Sequence, residues 1–397
     1  MERTIGVTYA RGFTAAGVAC GIKKDGAMDL AVVACQRPAS AAGVFTRNRV
    51  KGHSLLLARK NVRNGRAQAV VVNSGNANAC LGSRGDEDAR AMARLAAAKL
   101  GCGERDVLTA STGVIGVPLP MERIRAGLTK AVPTIGGGAD AARAIMTTDT
   151  VPKEAGACVS IGGREVRVGG MAKGSGMIHP DMATMICVLT TDAAIRPRAL
   201  RRALRSAADA SFNRVSVDGD TSVCDKAVVL ASGLAGNAPI EEGTDAYALF
   251  ACALEDVCVR LARMLAADGE GATKLLTVRV RNARTRRDAR RIAGAIATSS
   301  LCKTAAFGND ANWGRLLTAA GYSKAVFDPD KADVFIGDVQ VCKNGGGLTF
   351  DEEAALRALK RDEVVYTLDL HDGEAEETMW TCDLSTDYVR INAEYRT

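Results

Sequence analysis

Met171-Ala-Lys-Gly-Ser-Gly-Met-Ile-His-Pro-Asp-Met-Ala-Thr-Met-Ile186 is the stretch on which the reading of this chain turns. Gly174-Ser-Gly176 is a flexible turn and Pro180-Asp181 a second stop, and together they deliver Thr184 to the mouth of the apolar run 185–189, which is strand-sized. Two uses of Thr184 fit. It caps a core strand, the commoner role, or its hydroxyl attacks the preceding carbonyl, on Ala183, and cuts the chain. A threonine hydroxyl is a weak nucleophile that needs a base, and a newly exposed α-amino group supplies one. With a reference pKa of about 7.7 to 8.0, that amine suits proton transfer near neutrality. The small side chain of Ala183 leaves room for the attack.

Outward from this stretch, strands and helices interleave, which points to mixed α/β architecture. Strands are predicted over 30–35, 67–73, 185–189, 226–231, 275–281 and 364–370, with a ribbon around Gly162-Gly163. Ser83 and the acidic 86–88 precede an alanine-rich helix over 89–100 that stops at Gly101. A second helix runs from Asp245 to Ala267, and a third begins near Pro197, with Leu200 and Leu204 one turn apart. A strand-and-helix pattern restarts at Leu275 after the short polar segment 269–272.

The 397 residues suggest two or three domains at roughly 150 residues each. With 47% hydrophobic and 24% charged residues the chain is of ordinary globular composition, neither fibrous nor disordered. No run approaches the roughly 18 to 20 apolar residues of a membrane span, and the first residues lack a signal-like apolar core, so a cytoplasmic location is expected. Twelve scattered cysteines without a C-x-x-C pair read as free thiols. Three histidines, none at a zinc-binding spacing, make a metal site unexpected. The net charge of +7 raises nucleic acid as a partner. Against it, the basic run 281–291 includes Asp288 and aromatics are only 4%, too few for base stacking, so a solvated helix face is the better reading.

Three further segments are rich in Gly and hydroxyls. The segment 73–82, Asn-Ser-Gly-Asn-Ala-Asn-Ala-Cys-Leu-Gly, follows a strand and precedes a helix, where backbone N–H groups can cradle an anion, yet it matches no phosphate-loop pattern. The segment 268–274 has too few residues between its glycines for one. In 110–116, Thr112 offers a hydroxyl and Gly113 an unobstructed N–H, a pair able to hold an oxyanion, although a structural turn is the commoner use.

Taken together these segments resemble the ornithine acetyltransferase family, the glutamate N-acetyltransferases of arginine biosynthesis, over nearly the whole chain. The motifs that carry the resemblance are GFTAAGVACGIK, VVVNSGNANAC, STGVIGVPLP, MTTDTVPK, MAKGSGMIHPDMATM, FNRVSVDGDTS, DGEGATK, NWGR and the final WTCDLSTDYVRINAEYRT. Two departures are visible, Ala311 where the family usually has proline before NWGR, and Val223-Cys224 in place of a more polar pair. Both bear on loop detail.

By motif position the resemblance implies Thr184 as nucleophile and new N-terminus, with the bond between Ala183 and Thr184 as the cleavage site and fragments 1–183 and 184–397. It implies Thr112 and Gly113 as the oxyanion hole, and substrate contacts from Thr147, Lys173, Thr184, Glu270, Asn392 and Thr397. The expected reaction is ping-pong transfer of acetyl from N2-acetyl-L-ornithine to L-glutamate through acetyl-Thr184, without a cofactor, with acetyl-CoA left open as a second donor. The implied fold is a layered αββα sandwich of the self-processing N-terminal-nucleophile-like type with a smaller C-terminal α/β domain. The segments are expected to divide as 1–190, 191–274 and 275–397. The two fragments are expected to pair again as an α2β2 heterotetramer, with neither nucleic acid nor membrane as partner. Two rivals stay open, an aminopeptidase or amidase of the same architecture that releases to water, and a non-catalytic basic binding protein.

Overall fold

The computed structural model describes residues 5–179 and 185–394. Its contacts divide the chain into two units, 1–213 with 220–261, and 214–219 with 262–397.

The first unit holds β1 (Phe13–Val18), β2 (Leu30–Phe45), β3 (Arg66–Asn76), β4 (Val107–Val114), β5 (Lys153–Ile161), β6 (Arg164–Lys173), β7 (Ile186–Thr191) and β8 (Lys226–Ala231). Its helices are α1 (His53–Asn61), α2 (Gly82–Leu100), α3 (Met121–Lys130), α4 (Gly138–Ala144), α5 (Pro197–Ala210) and the part of α6 (Asp245–Ala267) up to Leu261. The strand order is β4-β3-β2-β8-β7-β6-β5, with β1 paired to β2. The strand β2 changes partners halfway. Its first residues pair β1 and β3, its last six pair β8, and the register with β3 slips between Ala34 and Ala39.

That slip lets one sheet fold into two facing layers. In a flat sheet β8 and β4 would lie about 14 Å apart, beyond the reach of a lysine, yet Lys226 Nζ donates to the Thr109 carbonyl at 2.8 Å. The space between the layers is filled from both sides, by Val33, Val70, Val72 and Leu108 and by Met171, Ile186, Val188, Val228 and Leu230. Outside, the alternate residues Leu30, Val32, Ala69 and Val71 pack on Met92, Ala93 and Ala96 of α2 and Ile124 and Leu128 of α3. On the opposite side Val257 and Leu261 of α6 close over Gly170, beside Leu189. This is the αββα sandwich expected from the resemblance. Strands buried on both faces read as unbroken apolar runs, which is why 67–73, 185–189 and 226–231 were legible.

Two local readings differ. The segment 110–116, where a structural turn was the commoner reading, is mostly strand: β4 runs to Val114 in parallel register with β3, and pairing between buried neighbours overrides the turn preference of Ser and Gly. The helix predicted from 89 begins at Gly82, so Ser83 lies inside its first turn and makes no cap hydrogen bond. Its end is as read, at Gly101 with φ of 67°.

The second unit contains β9 (Leu275–Ala283), β10 (Asp333–Ile336), β11 (Val339–Lys343), β12 (Gly346–Gly347), β13 (Glu363–Asp369) and β14 (Ala375–Cys382). They form a sheet of order β12-β11-β10-β13-β9-β14 in which only β13 and β9 run parallel. Helices α7 (Arg286–Thr298), α8 (Ser300–Phe307), α9 (Trp313–Gly321), α10 (Glu352–Leu359) and α11 (Thr386–Glu394) accompany it. Ile292 and Ile296 of α7 and Leu316 of α9 pack on Val278, Val280, Val334 and Leu368. The basic run is divided between the end of β9 and the start of α7, whose apolar stripe faces this core while Arg286 and Arg287 are exposed.

Candidate active site

Thr112 and Gly113 sit at the end of β4 on a chain of hydrogen bonds. Asn78 Nδ2 donates to Ser54 Oγ (3.2 Å), Ser54 and Ser111 share a bond (2.7 Å), Ser111 donates to Asn73 Oδ1 (2.6 Å), and Asn73 Nδ2 donates to the Asn76 carbonyl (2.9 Å). All four side chains are buried. Gly113 has φ of 130°, and a Cβ there would lie 2.3 Å from the carbonyl carbon of Gly75, so no other residue fits. The Thr112 residue is 7% exposed, and among the described residues its hydroxyl makes no hydrogen bond. A rigid backbone therefore presents a hydroxyl that no neighbour claims, the arrangement a developing oxyanion needs.

A second cluster gathers around Asp149, which lies just before β5. Lys153 Nζ donates to its Oδ1 at 2.7 Å, the Gly174 N–H to the same oxygen at 2.6 Å, and the Thr147 N–H to Oδ2 at 2.9 Å. Lys173, the last residue of β6, places Nζ 2.6 Å from Thr147 Oγ1, to which it donates, and 4.0 Å from Asp149 Oδ2. Burial alone would push the Asp149 carboxyl up, but the ammonium groups of Lys173 and Lys153 and these hydrogen bonds hold it down at about 2. Asp149 thus fixes Thr147, Lys173 and Gly174 at once. Thr147 and Lys173, each expected as a substrate contact, are brought together, and the residue that does it was not singled out from the sequence. The pattern Asp149 then Lys153 looks like any solvated pair four residues apart, and nothing local signals that both are fully buried.

In the second unit Asn392 Nδ2, on α11, donates to Glu270 Oε2 at 2.8 Å and to the Tyr388 carbonyl at 3.0 Å. Glu270 is buried. The loop that carries it is tied to the end of the chain, with Ser385 Oγ donating to the Gly271 carbonyl at 2.6 Å and the Thr273 N–H to Asp383 Oδ1 at 2.8 Å. Gly271, at φ of 68°, admits the Tyr388 backbone so closely that a Cβ would stand 2.5 Å from its nitrogen. So Glu270 and Asn392, each expected as a substrate contact, also meet. Ala183, Thr184 and Thr397 lie outside the described residues. Among those described, no group of three or more His, Cys, Asp or Glu side chains converges to hold a metal ion, and no helix is long and apolar enough to cross a membrane.

Comparison with known proteins gives a consistent result. The model of the ArgJ family matches residues 14–397. The arginine biosynthesis bifunctional protein ArgJ of Symbiobacterium thermophilum is 55% identical over 396 residues, covering 99% of this chain and 98% of the relative. That of Caldanaerobacter subterraneus is 50% identical over 397 residues, covering 98% of each. Among solved structures, the ArgJ protein of Bacillus halodurans is 43% identical with a TM-score of 0.50, over 51% of this chain and 96% of that one.

Proposed function

The chain belongs to the ArgJ family, and from that membership we infer that it is a self-cleaving glutamate N-acetyltransferase of arginine biosynthesis, an acyltransferase with a threonine nucleophile. Acetyl-ornithine and glutamate are its substrates. Its donor is N2-acetyl-L-ornithine, Thr184 is the nucleophile, and the bond between Ala183 and Thr184 is the one that self-cleavage breaks. The fragments 1–183 and 184–397 stay associated as α2β2. The relatives' description as bifunctional supports a second activity, which we assign to acetyl-CoA as donor.

In the first half-reaction Thr184 Oγ attacks the acetyl carbonyl of the donor while its own α-amino group takes the hydroxyl proton. The tetrahedral oxyanion is held by the Thr112 hydroxyl and the Gly113 N–H. As the C–N bond breaks, the proton passes to the leaving amine and ornithine departs. Glutamate then attacks acetyl-Thr184 through its amine, and the same steps run in reverse. Lys173 pairs with a substrate carboxylate and Glu270 with a substrate ammonium, charge-assisted contacts that are strong in a sheltered site. Thr147 and Asn392 orient those two charged groups, each through the hydrogen bond it already makes, and Thr397 completes the substrate contacts.

The observation that carries this reading is the end of β4, where an unclaimed hydroxyl sits beside a glycine that cannot be replaced. The test is a denaturing intact mass of wild type beside Thr184→Ala, followed by acetyl-transfer kinetics. Wild type should separate at Thr184 and the variant should stay whole; a folded wild type that remains a single chain refutes the assignment of Thr184. Lys173→Ala should raise KM well beyond any effect on folding, and unchanged kinetics would remove Lys173 from the site.

A further inference from the structure

Close to Lys173 lies a second carboxyl whose surroundings are the reverse of those of Asp149. Asp225 immediately precedes β8 and is 1% exposed, and among the described residues no donor meets either of its oxygens in hydrogen-bonding geometry. Asp149 and Asp225 have the same side chain and the same depth of burial. One takes two backbone N–H groups and an ammonium, and the other has no donor in hydrogen-bonding geometry among the described residues. A buried carboxylate is tolerated when its lone pairs are filled, and where they are not the group takes up a proton.

The charged and titratable neighbours of Asp225 agree. From β6, Lys173 is the cation that bears on it most. On its own strand the ammonium of Lys226 is committed to the Thr109 carbonyl, and burial lowers it to about 7. The thiol of Cys224, raised to about 12 by burial, is neutral. Burial pushes the Asp225 carboxyl well above the usual carboxylate range, against the pull of Lys173 and of the nearby Met185 and Ser222 N–H groups and Ser222 hydroxyl, none of which reaches hydrogen-bonding geometry. Lys23, another cation near Lys173, is lowered by burial and already donates to the Met28 carbonyl at 2.7 Å.

We propose that Asp225 is a positioning residue carried as the neutral acid, so that the positive charge of Lys173 stays available to a substrate carboxylate. The charges that pair directly give the reason. Lys153 and Lys173 share one ionised carboxylate, Asp149, which leaves one positive charge in that group, the complement of a single substrate carboxylate. Ionising Asp225 cancels that charge and sets a second anion against the incoming one. The inference rests on the assignment of Lys173 to substrate binding. It adds a proton to that site, bound along with the substrate and lost at alkaline pH.

Two measurements on the self-cleaved enzyme test it. Carboxyl-carbon NMR of aspartate-labelled wild type should show one aspartyl group still protonated at pH 7, and its resonance should be missing from Asp225→Asn. If every aspartyl carboxyl is ionised at pH 7, the proposal is wrong, whatever the variant does. In kinetics, KM for acetyl-ornithine should rise about tenfold or more in wild type as Asp225 ionises, while kcat does not follow. Asp225→Asn should lack that rise. Superimposable KM profiles, with Lys173→Ala still raising KM, overturn the role of Asp225 and leave that of Lys173 standing. A Lys173→Ala enzyme with wild-type KM overturns both.

Discussion

The two units hold their charged site residues by different means. In the first, Lys173 is fixed through Asp149, a fully buried carboxylate shared among two ammonium groups and two backbone N–H donors. In the second, Glu270 is met by the neutral amide of Asn392 from a helix close to the end of the chain. An ionic hub is rigid but carries a high desolvation cost that its partners must offset. A single amide bond is cheaper to form and to lose. Lys173 should therefore be inseparable from the stability of its sandwich, whereas Glu270 should be separable from that of its sheet.

The sharpest way to break this contrast is Asp149→Asn, which leaves two buried ammonium groups without their counter-charge. It should cost about 3–5 kcal/mol in urea unfolding, and a loss under about 1 kcal/mol would mean that the hub is not what orders this region. Thr112→Ala comes next and sharpens the comparison within the first unit. Because the hydroxyl makes no hydrogen bond among the described residues, its removal should lower kcat by about 100- to 1000-fold, or 2.7–4 kcal/mol, with an unchanged melting temperature. A fall in melting temperature with intact kcat would make Thr112 a packing residue.

A smaller effect is the acid response. The pKa of Asp149 in the folded chain, about 2, lies below its unfolded value. Its stabilisation is therefore complete above about pH 5 and is lost as pH falls through 4 towards 2, roughly 2–3 kcal/mol in all. Asp149→Asn should flatten that limb, and an acid limb that persists unchanged in the variant would place it on other carboxylates. Smallest is Asn392→Ala, which should raise KM by an amount equivalent to about 1–2 kcal/mol and leave unfolding almost untouched. An unfolding loss as large as that of Asp149→Asn would erase the distinction between Lys173 and Glu270.

How far the molecule could be read beforehand varied with the kind of signal. Apolar runs announced β3, β7, β8, β9 and β13 because burial on both faces writes itself into composition. Gly101 announced the end of α2 because a left-handed residue favours glycine. The end of β4, where a structural turn was the commoner reading, is strand, since Gly113 and Gly116 suggested a turn while pairing with β3 sets the conformation. The pairings Lys173 with Thr147 and Glu270 with Asn392 were reachable only as separate site residues, because 26 and 122 positions separate the partners. Asp149 and Asp225 gave no sign at all.

Those two aspartates mark the boundary between what is written locally and what is not. The sequence by itself determined the family, the alternation that builds a sandwich, and a threonine after a small residue at the mouth of a strand, all of which depend on covalent chemistry and short-range spacing. Only the tertiary structure decided which carboxyl carries a charge. Asp149 is ionised because donors from 147, 153 and 174 converge on it, and Asp225 is pushed towards the neutral acid by burial, with no described donor in hydrogen-bonding geometry to offset it. A side chain's charge is set by the dielectric and the hydrogen bonds around it, and these come from residues that the fold alone brings near.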